Sequence, residues 1–194
     1  MSEKTDPYTI PPNLPAPQDD GACAHLLGMS IRRPVLLYST RNRLVDVKEV
    51  SSASRVVFFF YPMTGKPGVA LPRDWNLIPG ARGCTPASCS YRDLYSEFKK
   101  TGFEVYGISS QSTEDQVEFS NRSSIPYEIL SDSKLELANA LRLPTFTVPE
   151  VATPLIKRLT LIFSGGKIEK VFYPVFPPEK NADQVLAFVR SRMV

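Results

Sequence analysis

Two cysteines stand five positions apart in "IPGARGCTPASCSYRD", residues 78–93, in a chain of 194 residues that holds only three. The spacing after Cys84 predicts a helix from about 86 to 100, with Thr85 as N-cap and Pro86 as first helical residue. Unpaired backbone N–H groups and the helix dipole gather at such a start and stabilise an anion. A thiol placed there is favoured as the thiolate, the form that attacks. Arg82, two residues away, adds positive charge, and Gly83 lets backbone and substrate approach closely. Cys84 is therefore a candidate nucleophile. Cys89 is its candidate resolving partner, because a sulfenic acid formed at Cys84 by attack on a peroxide condenses with a nearby thiol to a disulfide. Two positions five apart in a regular helix have Cα atoms about 8.6 Å apart. A disulfide needs roughly 4.4–6.8 Å, so the first turn must loosen before the bond closes.

Other chemistries fit less well. A bare C-x4-C is by itself more simply two unreactive thiols packed in a core. A zinc site would need Cys23 and the single histidine, His25, and neither forms a ligand spacing with the pair. One histidine near the N-terminus is a poor base for a hydrolase triad. Cys23 reads as a structural or incidental thiol.

The elements that must position the pair follow from the hydrophobic pattern. Residues 34–47 read as two short strands around a polar turn at 39–43. The run "RVVFFFYP", 55–62, suits a strand buried on both faces. Residues 63–82, rich in Pro and Gly and without a period, read as a loop. After the cysteine helix and the Gly102 stop signal, "FEVYGISS", 103–110, is a second buried strand, which makes a right-handed βαβ unit. Thr113 and Gln116 form a capping pair for a helix to about Ser123, followed by a strand over 127–130. Ser133 and Glu136 form another pair, for a helix through Leu141. Residues 156–175 make an antiparallel hairpin with its turn at 164–167. Asn181 opens a last helix with Val185, Leu186 and Val189 inward. The result is an α/β architecture, one mixed sheet with helices on both faces. Residues 1–20, with their five prolines between Pro7 and Pro17, read as an extended tail, or an arm on the surface, and 21–194 as one domain.

Composition closes off several classes. A net charge of +3, with no Lys/Arg run interleaved with aromatics, argues against nucleic acid. The opening "MSEKTDPYTI" is not a secretory signal, and the longest apolar run, 56–61, is far too short to span a membrane. Three cysteines do not make a secreted disulfide scaffold, so a reducing, cytoplasmic setting is expected.

The segment "GCTPASCSYRD" resembles the peroxidatic segment of the peroxiredoxins, in particular the atypical two-cysteine Q-type (bacterioferritin comigratory protein) branch. The likeness continues through "VVFFFYP", "EVYGISSQSTEDQVEFSNRSSIPYEILSDSKLELANAL" and "IKRLTLIFSGGKIEKVFYP". It covers roughly residues 30–190. The resemblance implies a thioredoxin-like fold and reduction of hydrogen peroxide and organic hydroperoxides. It also implies roles: Cys84 as peroxidatic cysteine, Cys89 as resolving cysteine, and Arg158 as the strand-borne arginine that orients the thiolate. Thioredoxin or a similar dithiol would be the reductant, with no metal, flavin or haem, in a monomer or weak homodimer. A plain thiol–disulfide oxidoreductase, or a peroxide sensor or binding module on the same scaffold, are the competing readings. The chain departs from the family's Pro-x-x-x-Thr/Ser-x-x-Cys pattern, with Ala81 in the hydroxyl position and Leu77 in the proline position. Thr64, Thr85 or no residue then takes the hydroxyl's part.

Overall fold

The computed structural model describes residues 6–192, so the first five residues of the expected tail and the last two of the domain lie outside the described residues. In chain order the first elements are β1 (Leu36–Ser39), β2 (Leu44–Asp46), α1 (Val47–Ala53) and β3 (Arg55–Phe60). The middle of the chain gives α2 (Cys84–Asp93), α3 (Tyr95–Lys100), β4 (Phe103–Ser109), α4 (Thr113–Arg122) and β5 (Glu128–Ser131). The last part gives α5 (Glu136–Leu141), β6 (Thr145–Val148), β7 (Val151–Ile156), β8 (Leu159–Ser164), β9 (Lys167–Phe172) and α6 (Asn181–Arg190).

Seven strands form one mixed sheet in the order β2-β1-β5-β4-β3-β8-β9. The pairs β3–β4 and β4–β5 are parallel, as the βαβ reading requires, and β3–β8 and β8–β9 are antiparallel. The uninterrupted apolar run of β3 is explained by its place inside the sheet. Val56, Phe58 and Phe60 enter the apolar cluster on one face, while Val57, Phe59 and Tyr61 enter the cluster on the other. Period-2 alternation thus sorts a continuous hydrophobic string onto two buried surfaces.

The structure corrects the local expectations at several points. The cysteine helix begins two residues earlier than predicted and is two helices, α2 and α3, broken at Leu94. Its N-cap is Gly83 in the left-handed region at φ 96°, not Thr85. Pro86 still fits, because a first-turn proline forfeits an N–H that has no intrahelical acceptor. In α4 the cap is Ser112, whose hydroxyl accepts from Asp115 N at 3.1 Å. Gln116 is drawn inward to donate to Leu130 O and Ser109 Oγ, both at 3.0 Å. In α5 the capping group is the Asp132 carboxylate, which accepts from Leu137 N and Ala138 N, in place of Ser133. The long hairpin begins at Leu159, and Ile156 instead ends β7 in a separate two-stranded sheet with β6.

That small sheet gives the 63–82 segment something to pack on. The segment holds only one short 3-10 turn, Trp75–Leu77, yet Trp75 and Ala81 are buried against Val148 and Leu155. Residues 6–20 run as an arm along the domain, and Asp20 anchors its end by bonds from Lys157 and Tyr173, both at 2.8 Å.

Candidate active site

Gly83 explains where Cys84 sits. A side chain there would meet Pro178 Cγ at 2.4 Å, and the backbone is left-handed besides, so only glycine fits. The turn delivers Cys84 as the first residue of α2, in the turn whose N–H groups have no intrahelical acceptor. The helix is fixed from behind. Tyr91 stacks on Phe59 at 4.1 Å and donates to Asn181 Oδ1 at 2.7 Å, and Tyr127 donates to Ser88 O at 2.7 Å. Burial pushes the phenols of Tyr91 and Tyr127 upward, so both remain neutral donors.

Arg158 arrives from far along the chain, immediately before β8. Its Nη2 donates to three acceptors: Cys84 Sγ at 3.0 Å, Arg82 O at 3.1 Å and Ala81 O at 3.3 Å. The Cys84 thiol in turn donates to Ala81 O at 3.4 Å. Cys84 and Arg158 are 3% and 6% exposed, so the pair meets out of bulk water, where a guanidinium–sulfur contact is weakly screened. Arg158 also borders a cavity of about 270 Å³ whose walls include Ile78, Pro79, Phe146, Pro174 and Val175. The site therefore offers a buried sulfur, a fixed cation touching it, helix N–H groups, and a mostly apolar chamber reaching that cation.

The family model described as the AhpC/TSA family matches residues 76–171. The chain is 30% identical over 161 residues to "Peroxiredoxin Q, chloroplastic" of Sedum lineare, covering 81% of this chain and 75% of that protein. The chain belongs to the peroxiredoxin family. Peroxiredoxin Q of Arabidopsis thaliana is 30% identical over 136 residues, 70% of this chain and 54% of the relative, so the chain spans about half the length of several such proteins. Among solved structures, peroxidoxin BcpB from Mycobacterium tuberculosis superposes with a TM-score of 0.66 at 24% identity, over 86% of this chain and 98% of that one. Peroxiredoxin Q from Xanthomonas campestris superposes with a TM-score of 0.65 at 19% identity, over 85% and 99%. The fold is thus the thioredoxin-like one expected, and the branch is the Q-type. That family is one of thiol peroxidases.

In this peroxiredoxin Cys89 lies on the same helix as Cys84, half-buried and unbonded. Burial pushes its thiol upward, with Arg92 partly opposing. Cys23 is set apart. It belongs to the cluster with Val56, Phe58 and Phe60, whereas Cys84 belongs to the cluster with Val57, Phe59 and Tyr61. The sheet lies between them. Burial, with Asp20 and Asp19 adding to it, pushes the Cys23 thiol up to about 12. His25 is bonded to Leu141 O at 2.9 Å, in the region of Cys23 rather than of Cys84. Among the described residues no group of three His, Cys, Asp or Glu could hold a metal ion.

The hydroxyl question has a partial answer. Thr64 is occupied by Gln111, whose Oε1 accepts from Thr64 N at 2.8 Å and from Thr64 Oγ1 at 3.2 Å. Thr85 is buried within the first turn of α2. Sequence reasoning missed Tyr61, a fully buried phenol in the cluster of Cys84 whose hydroxyl has no hydrogen-bond partner among the described residues. Burial pushes it upward. Its signal was the tyrosine that directly follows the apolar run of β3.

Proposed function

We propose that this chain reduces hydroperoxides at Cys84. The thiolate attacks the terminal peroxide oxygen, the O–O bond breaks, and the departing alkoxide or hydroxide takes a proton, leaving Cys84 as sulfenic acid. Arg158 and the first-turn N–H groups stabilise the charge that develops along S···O···O. The Cys89 thiol then attacks the sulfenic sulfur, water leaves, and a Cys84–Cys89 disulfide remains. A dithiol such as thioredoxin reduces it by exchange. The protein works as a monomer or weak homodimer in a reducing compartment, and the two plant relatives named above are described as chloroplastic.

The 3.0 Å contact between Arg158 Nη2 and Cys84 Sγ carries this reading. The apolar cavity bordering Arg158 favours organic hydroperoxides alongside hydrogen peroxide. The same burial weakens the rival reading of a general thiol–disulfide oxidoreductase, because a 3% exposed sulfur does not meet a protein disulfide directly. The test is consumption of hydrogen peroxide and cumene hydroperoxide with thioredoxin, thioredoxin reductase and NADPH. Wild type should turn over both and Cys84→Ser neither, since serine offers no comparable nucleophile. Single oxidation of Cys84 without turnover would replace the enzyme by a sensor.

A further inference from the structure

Arg82 is an unusual residue to find buried. It is 6% exposed, and among the described residues its Nε has no hydrogen-bond partner and no carboxylate forms a salt bridge with it. What holds it is the arm: its Nη2 donates to Asp6 O at 2.7 Å and Thr9 O at 2.9 Å. The arm is shaped to present those two carbonyls. The Asp6 carboxylate accepts from Tyr8 N at 3.0 Å and from Thr9 Oγ1 at 2.8 Å, closing a turn over residues 6–9. Tyr8 pins that turn to the domain, accepting from Arg122 Nη1 at 2.7 Å and meeting Ser123 Oγ at 3.1 Å. Pro7 packs beside Gly65 at the start of the 63–82 segment.

The backbone of Arg82 meanwhile serves the site. Its carbonyl is one of the three acceptors of Arg158, and Ala81, its neighbour, provides another but has no polar side chain of its own to fix the loop. Arg158 thus touches the sulfur, and Arg82, two residues before Cys84 in the chain, adds a second buried guanidinium, whose burial is costly without an anion nearby. Burial lowers the Arg82 pKa, and negative charge at Cys84, followed by that of Asp6, acts against it.

Resting on the peroxidase reading, we propose that Arg82, gripped by the turn of residues 6–9, is a positioning residue for Cys84. It fixes the 81–84 backbone on which Arg158 and the sulfur are aligned, and it holds a second buried positive charge in the neighbourhood of Cys84. The arm is thereby part of the reactive centre.

The test uses full-length Arg82→Ala, Arg82→Lys, Asp6→Ala/Tyr8→Ala, and the combination of Arg82→Ala with the arm pair. Two rates are read at Cys84 by mass spectrometry: oxidation by hydrogen peroxide, and alkylation by anionic iodoacetate relative to neutral iodoacetamide. Arg82→Ala should slow oxidation about tenfold and lower the iodoacetate preference severalfold. Arg82→Lys should recover the iodoacetate preference but not the full oxidation rate, because an ammonium cannot copy the planar fork. The arm pair should slow oxidation in the Arg82 background but add nothing to Arg82→Ala. An unchanged iodoacetate preference in Arg82→Ala overturns the charge role, and arm and Arg82 losses that sum in full overturn the grip. Asp6 and Tyr8 lie at the surface, so the arm variant remains informative even if Arg82→Ala folds poorly. Alkylation needs no peroxide, so a wild type inert to peroxide would defeat the peroxidase reading while leaving the arm and Arg82 testable.

Discussion

One nitrogen of Arg158 serves three acceptors, and that geometry defines what the residue does. A lysine in its place keeps the charge but loses the planar, rigid donor set that reaches sulfur while lying against two carbonyls. Arg158→Lys should therefore react with peroxide at least about tenfold more slowly than wild type while melting at nearly the same temperature. Stopped-flow oxidation and circular dichroism check the two halves. Equal oxidation rates would leave Arg158 a structural clamp. At this scale the sequence was informative about Cys84 and nearly silent about its partners. The C-x4-C spacing at a helix start singled out the thiols, but Arg158 lies 74 residues away, and no local pattern joins the two. Only the likeness to a family named it. Tyr61 and the grip on Arg82 went unseen because both depend on tertiary burial.

Helix α2 is stable where the proposed chemistry requires it to yield. Cys84 and Cys89 both lie within it, and Tyr127 and Tyr91 tie its middle to the core. Closing a disulfide across five helical positions needs the Cα atoms to approach by roughly 2–4 Å. Oxidation with one equivalent of peroxide should thus reduce helical ellipticity and raise amide exchange over residues 84–93, reversed by dithiothreitol. Cys89→Ser should stop at a sulfenic acid that dimedone traps, with its helix intact. Loss of helix in that variant would uncouple the unwinding from the disulfide. The long periodic or continuous elements of the fold were legible: β3, β4, the β8–β9 hairpin and α6. The failures were local. Helix α1 was missed although Asp46 caps it, accepting from Lys48 N at 3.0 Å, because its seven residues carry too little periodicity. The β6–β7 hairpin was hidden by its prolines and by strands that are only partly buried.

The molecule as a whole has a built-in response to acid. Burial pushes the Asp132 carboxyl up to about 6, against the Leu137 and Ala138 N–H groups that favour its ionised form. A folded state that holds a proton the unfolded chain has already released is favoured as pH falls. This contribution is therefore fully present below about pH 4 and is lost as pH rises through 6. Wild type should gain about 1 kcal/mol from Asp132 between pH 7 and pH 5. Asp132→Asn should lack that gain, which urea denaturation at the two pH values measures. An identical pH response in the variant would place the carboxyl's titration elsewhere.

The placement of Cys23 across the sheet from Cys84 has a meaning for the life of the chain before it is folded. Three thiols permit three pairings in a disordered polypeptide, and nothing there prevents Cys23 from capturing an oxidised Cys84. Once β3 is inserted between its neighbours, the buried side chains of the sheet separate Cys23 from Cys84, which leaves the proposed local pairing with Cys89. Under the proposed mechanism the sheet thus acts as a proofreader of redox chemistry, one that exists only after folding. Denatured protein diluted into oxidising buffer should produce Cys23-linked species alongside refolded molecules, while native protein treated with the same oxidant should produce none. Peptide mapping of the two samples would tell them apart, and Cys23→Ala should raise the refolding yield in oxidant. Cys23-linked peptides from the native sample would mean that the barrier leaks.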